Sequence, residues 1–97
     1  MYLKIHPSPE GDVVAMCDEA LLGQVLSGAG MRLDLEAYKA FYEGRKVSEG
    51  EAVLALSAAR SANLVGKKSL GAAKKAGLDV SGAVLVAGVP HLQLYKV

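Results

Sequence analysis

Near the C-terminus two apolar stretches, Val84 to Ala87 and Leu92 to Tyr95, are separated by Gly88-Val89-Pro90-His91, with Gln93 just beyond. Proline brings no backbone donor and glycine admits dihedrals that other residues avoid, so a hydrogen-bonded ladder cannot run through this stretch undisturbed. A turn or bulge here sets an imidazole and an amide at the start of a last strand, beside a bent backbone. Bends of this kind often re-aim side chains at sites.

The remaining chain supplies what such strands pack against. Tyr2 to His6 alternates, with Leu3 and Ile5 on one side and Tyr2, Lys4 and His6 on the other, which predicts a half-buried strand. The turn-forming run Pro7 to Asp12 leads into Val13 to Cys17, apolar on both faces, so the pair reads as a hairpin whose second strand is the more central. Asp18 to Gly23 has an aspartate cap, an acid in the first turn and a glycine stop, the marks of a short helical turn. Gln24 to Gly30 reads as a loop and Met31 to Glu36 as a third strand, while Tyr38 to Gly44 fits either an extension of that strand or a short helix. Ser48 and Glu51 make a capping box, and Ala52, Leu56, Ala59 and Asn63 follow on one helical stripe. A break at Asn63 to Gly66 precedes a second helix from about Lys67 to Ala76, closed by Gly77 and Leu78 in the Schellman manner. The expected fold is α+β: a small, mostly antiparallel sheet of about five strands packed against two to three helices, in one domain spanning residues 1–97.

Composition narrows the function classes. Apolar types are 52% of the chain, enough for a core without staples, and Cys17 is the single cysteine, which excludes an intrachain disulfide and suits a reducing cytoplasm. The most apolar run, Ala83 to Pro90, is too short to span a bilayer, and no signal-peptide pattern opens the chain. Net charge is +1, yet residues 1–59 balance at −4 and residues 60–97 at +5. That asymmetry can focus an anionic partner on one surface, unless the opposite charges meet across the fold.

Three constellations are chemically able. On the last strand His91, Gln93 and Tyr95 point one way, as do Tyr2, Lys4 and His6 on the first. If both strands join one sheet, rings for stacking, a charge and a base-reading amide share a face. On the second predicted helix Lys67 and Lys74, and Lys68 and Lys75, form two stripes, and Gly66 precedes the helix where free backbone donors favour anions. Gly66-Lys67-Lys68-Ser69 approaches a nucleotide-binding P-loop but fails it, because Ser61 stands where the first glycine belongs and Lys68 intervenes. Third, Cys17 beside Asp18 and Glu19 would have a lowered thiol pKa at a helix start, with His6 or His91 as base. The histidines, cysteine and acids show no ligand spacing, so neither metal nor cofactor is expected.

Three segments, Cys17-Asp18-Glu19-Ala20-Leu21-Leu22-Gly23, Ala62-Asn63-Leu64-Val65-Gly66, and Gly88-Val89-Pro90-His91 with Gln93, resemble a small archaeal domain-of-unknown-function family, the one numbered 424. The resemblance covers nearly the whole chain. The family's C-terminal segment often reads G-G-V-P-H-x-Q, and Ala87 replaces its first glycine, a departure that would tighten the backbone at the bend. The resemblance implies an archaeal setting, a whole-domain unit and a loose link to translation, with no established activity. Its motif residues here are Asp18, Glu19, Gly23, Asn63, Gly66, Pro90, His91 and Gln93. Asp18 has a duty as a cap, Gly23 as a stop and Asn63 as a helix breaker; His91 and Gln93 have none visible in the sequence.

The expectation is a binding module for RNA or a ribonucleoprotein of translation, leaning away from an enzyme. Binding residues are His91, Gln93, Tyr95, Asn63, Lys67, Lys68, Lys74 and Lys75. The runner-up is a small enzyme or ligand-binding protein with a pocket near Cys17, Asp18, Glu19 and His91, with His6 as a further candidate. A protein–protein adaptor using Tyr38, Phe41 and Tyr42 is the third reading, and a homo-oligomer stays open.

Overall fold

The computed structural model describes residues 1–28 and 30–96. Ala29, inside the expected Gln24–Gly30 loop, and Val97, the last residue of the expected unit, lie outside the described residues. The fold is α+β. Strands β1 (Tyr2–His6) and β2 (Val13–Cys17) make the expected hairpin, with Leu3 opposite Met16 and Ile5 opposite Val14. After a single 3-10 turn at Glu19–Leu21 come β3 (Val25–Gly28) and β4 (Met31–Asp34), which pair as a separate two-stranded ribbon. The short helix α1 (Lys39–Tyr42) and the two-residue strand β5 (Arg45–Lys46) lead to α2 (Glu49–Ala58). Then follow β6 (Ser61–Val65), α3 (Lys67–Lys75), β7 (Val84–Val86) and β8 (Val89–Tyr95).

The main sheet has six strands in the order β5-β1-β2-β6-β8-β7, in place of the expected five. It is mixed: β2 and β6 run parallel and the other neighbouring pairs antiparallel. A parallel pair needs a long crossover, and the segment from the 3-10 turn through α2 provides it. β6 is the largest departure from the sequence reading, which carried the helical stripe through Asn63. Helix α2 stops at Ala58, and Ser61–Val65 enters the sheet centre buried on both faces, without the alternation that marks a strand. The expected Gln24–Gly30 loop contains β3, whose four residues are too few to show a clear pattern in the sequence.

The C-terminal bend also sits elsewhere than expected. The turn is Ala87-Gly88, with φ of 51° and 78°, joining Val86 and Val89 in a tight hairpin. Two positive φ values are what a type I′ hairpin turn requires. Pro90 lies inside β8, where its carbonyl accepts the Gly66 N–H at 2.9 Å. It costs no ladder bond because β6 has ended opposite it, and the Gly66 carbonyl serves Leu70 in α3.

Period-two alternation gives the sheet two dissimilar faces. Leu3, Val14, Met16, Leu64 and Leu92 point toward α2 and α3 and pack with Ala52, Leu56, Leu70, Ala72 and Ala73. Ala15, Cys17 and Val65 point the other way and pack with Leu35 and Tyr42, flanked by Leu22, Leu26, Leu33 and Phe41. Helix α2 starts with the predicted capping box: Glu51 N donates to Ser48 Oγ and Ser48 N donates to Glu51 Oε1, both at 3.2 Å. Helix α3 ends in the predicted Schellman pair, Leu78 N to Ala73 O and Gly77 N to Lys74 O. Among the described residues no helix is long and apolar enough to cross a membrane.

Candidate functional site

Register decides which polar side chains meet. Lys4, Ala15, Asn63 and Gln93 lie in one row across β1, β2, β6 and β8; Tyr2, Cys17, Val65 and His91 form the next, and His6, Val13, Ser61 and Tyr95 the third. The six polar residues of the terminal strands therefore do share a face, opposite the one that carries α2 and α3. The central residues of the first two rows are mostly small, so the face is troughed. Leu35, just after β4, and Phe41 and Tyr42 of α1 pack onto the trough without filling it. A cleft of about 290 Å3 is left, lined among others by Arg32, Tyr38, Tyr42, Asn63, His91 and Gln93.

Two hydrogen bonds inside this cleft fix polar atoms. The Tyr42 hydroxyl donates to Asn63 Oδ1 at 2.8 Å. Burial, reinforced by Cys17 nearby, pushes that phenol up to about 12, so it keeps its proton. A half-buried amide in a central strand gains from such a partner, and Tyr42 arrives from a different element to supply it. His91 Nδ1 lies 3.0 Å from the Leu64 carbonyl. A carbonyl only accepts, so Nδ1 carries the hydrogen and Nε2 is the nitrogen left for a ligand. At the rim Arg32 reaches Asp34 at 3.4 Å. The Ala37 N–H holds the Asp34 carboxyl below its ordinary range, and Arg32 adds to that.

The other residues on this face serve the fold. His6 stacks on Phe41 with ring centroids 4.4 Å apart, and its Nε2 donates to the Phe41 carbonyl at 2.8 Å. Lys4 Nζ donates to the Ala40 carbonyl at 2.8 Å. Both tie α1 down onto the sheet and so shape the cleft from outside. Tyr95 is 82% exposed at the far corner and does not line the cleft.

At the C-terminal ends of β2 and β6 the expected anion site is already filled by the protein's own carboxylate. Asp18 Oδ2 accepts the Lys68 N–H at 3.0 Å, and Oδ1 accepts the Ser69 N–H and Oγ–H at 2.8 Å each. Asp18 is thus a cap, but for α3 fifty residues on, and makes no side-chain cap to its own turn. Gly66 has φ of 109°, and a Cβ there would lie inside the Asp18 carboxylate. The three segments singled out in the sequence meet here: Asp18 N donates to Val65 O, and Gly66 N to Pro90 O.

The expectation of an activated Cys17 is corrected first by burial. Cys17 is fully buried, and burial with the Asp18 charge drives its thiol up to about 12, the reverse of an activated thiolate. Asp18 is spent on α3 and Glu19 is paired to Lys46 at 2.7 Å; both line a hollow beside Pro90, whereas Cys17 and His91 do not, His91 lining the other cleft. The α3 lysines are exposed, but Leu70, Ala72 and Ala73 seat that helix on the Leu64 and Leu92 side, across the sheet from His91 and Gln93. Lys75 is paired with Glu49 at 2.6 Å, so acidic and basic halves do meet there. Lys67 and Lys68 flank a second hollow of about 590 Å3 beside Pro90. Tyr42 is buried and Phe41 half-buried, which leaves only Tyr38 of the proposed adaptor aromatics open to solvent. Among the described residues no three His, Cys, Asp or Glu side chains are grouped to hold a metal ion.

Sequence reasoning did not place Arg32, Tyr38 or Tyr42 in a site with Asn63. The available signal was Asn63 itself, a polar residue among buried apolar ones, which demands a partner.

No curated protein matches the chain. Its structure is similar to the crystal structure of an uncharacterized conserved protein from Methanopyrus kandleri, with a TM-score of 0.78 and 28% sequence identity, covering 97% of this chain and 89% of that chain. The family described as "Protein of unknown function (DUF424)" matches residues 6–97.

Proposed function

The chain belongs to the DUF424 family, and from that premise we propose that it is a binding module whose cleft takes an unpaired base of an RNA strand. The observation that supports this reading is the convergence of Asn63, His91 and Gln93 with Tyr38, Tyr42 and Arg32 around one small cleft. Single-stranded RNA is held by stacking on aromatic rings, by hydrogen bonds to base edges and by cations near the phosphates. The cleft combines all three, and its 290 Å3 suits one base rather than a folded partner. Tyr38, 64% exposed, is the stacking platform, and Arg32 is the cation that lines the cleft. Lys67 and Lys68 extend the phosphate path past Pro90, whereas Lys74 and Lys75 lie further along α3 and outside it. An archaeal cytoplasm and a ribonucleoprotein of translation are the setting this proposal carries.

Fluorescence anisotropy with a labelled single-stranded RNA of mixed sequence at low salt tests it. Binding that weakens steeply with salt and falls roughly tenfold in Tyr38→Ala and in Arg32→Glu is expected, from the size of single stacking and phosphate contacts. The Lys74→Glu/Lys75→Glu double variant keeps most of the affinity. Absence of binding at low salt, or a dependence on Lys74 and Lys75 alone, overturns the proposal. A free nucleotide presents the same chemistry, and adenosine or uridine monophosphate run as competitors separates that source from a strand.

A further inference from the structure

The two internal hydrogen bonds of the cleft do more than satisfy polar groups. Asn63 Oδ1 is taken by the Tyr42 hydroxyl, so the amide turns its Nδ2–H donors to the cleft. Leu64 O takes the Nδ1–H of His91, which leaves Nε2 to act as an acceptor. Val65 stands opposite His91, and Asn63 opposite Gln93, so Asn63 and His91 are diagonal neighbours on adjacent strands of the same face. Diagonal neighbours sit roughly 7–8 Å apart at the backbone, close enough for long side chains to hold one ring between them. One donor and one acceptor therefore belong to the same cleft before any ligand arrives.

Resting on the reading of the cleft as a base site, we propose that it recognises the edge of a heterocycle on which an N–H adjoins a hydrogen-bond acceptor. Tyr42 acts as a positioning residue that fixes which end of the Asn63 amide faces inward. Uracil at N3–H and O4, and adenine at its amino group and N1, present such an edge. Phosphate and carboxylate, which present acceptors only, are disfavoured because Nε2 offers them a lone pair. The same pattern predicts how specificity changes when the donor is removed. Asn63→Asp keeps an acceptor for the Tyr42 hydroxyl but presents a second acceptor inward, beside Nε2. That pair matches two adjacent N–H donors, which guanine carries at N1 and its amino group.

The test compares hexauridylate with its N3-methyluridine counterpart by anisotropy on the wild-type protein, with inorganic phosphate as competitor. It then compares guanosine and adenosine monophosphate as competitors on wild type, Asn63→Asp and Tyr42→Phe. N3-methylation is expected to weaken binding roughly tenfold, the scale of one lost hydrogen bond and a blocked partner. Millimolar phosphate should displace little. Asn63→Asp should shift the guanosine-to-adenosine preference roughly tenfold toward guanosine, a reversal that mere loosening of the fold does not produce. Tyr42→Phe should narrow whatever preference the wild type has, since the amide is then free to turn. Equal binding of the methylated and unmethylated strands, or an unchanged preference in Asn63→Asp, overturns this inference while leaving RNA binding intact. Failure of every RNA and nucleotide to bind overturns the base-site reading and this inference with it.

Discussion

The two faces of the sheet are built from the same strands by different chemistry. One face is aliphatic and closed: α2 and α3 lay Ala52, Leu56, Leu70, Ala72 and Ala73 onto Leu3, Val14, Met16, Leu64 and Leu92. The other carries Asn63, His91 and Gln93 between small residues and is covered by a four-residue helix and a ribbon. Two long helices with small side chains pack continuously, whereas short irregular pieces bring in aromatics that cover a trough only in part. The incompletely covered face is where polar groups stay available, so the contrast separates what holds the fold from what can serve a ligand.

The sharpest way to break that division is to damage each face in turn. Leu56→Ala on the closed face should cost about 3 kcal/mol, the cost of a buried leucine cavity, with no change in ligand preference. Urea denaturation reads the first and anisotropy the second; a loss of stability as large from Tyr38→Ala would erase the distinction between faces. Next in size is the junction where both faces end. Gly66→Ala should cost about 2–3 kcal/mol, because φ of 109° is strained for alanine and its Cβ collides with the Asp18 carboxylate. Asp18→Ala alone should cost about 1–2 kcal/mol through loss of the α3 cap. A double variant less destabilised than the sum of the singles would identify the collision as the cause, and strict additivity would refute it.

Alkali should act mainly on the cleft side, where both strongly shifted groups lie. Cys17 and Tyr42 have folded values of about 12 against ordinary values of 9.0 and 10.0. For an acid whose folded value is raised, the stabilisation is complete below the unfolded value and is lost as pH rises toward the folded one. Stability should therefore be flat up to about pH 9 and decline between about 9 and 12. Urea midpoints across that range should decline less in Cys17→Ala than in wild type; identical slopes would contradict the burial of the thiol. The smallest effect expected is a gain. Ala87→Gly should stabilise by roughly 1 kcal/mol, since a side chain at positive φ costs about that much. A loss in thermal midpoint would show that Ala87 is held there by contacts instead.

What the sequence made legible follows the range of each interaction. The β1 strand, the Ser48–Glu51 capping box and the Gly77-Leu78 stop are local, and all three are present, although Ile5 of β1 is exposed where alternation predicted burial. The sharing of a face by Tyr2, Lys4, His6, His91, Gln93 and Tyr95 follows from alternation once the strands join one sheet. Strand β6 was hidden because burial on both sides erases periodicity, and its parallel partner lies beyond a long crossover. The target of Asp18 was hidden for a related reason: a carboxylate before a helical turn looks like its cap, yet the bonds go to Lys68 and Ser69. The Tyr42–Asn63 pair joins an ambiguous segment to a misread one, so no spacing could reveal it.

Ligand binding on this reading is centred on the cleft face and not on Lys74 and Lys75 of the basic helix. Amide and side-chain chemical shifts of the isotopically labelled protein, followed by NMR during titration with single-stranded RNA, test it most directly. Perturbations should centre on Arg32, Tyr38, Asn63, His91 and Gln93, with Lys74 and Lys75 unmoved. Perturbations confined to Lys67–Lys75, or none at saturating RNA, would contradict it.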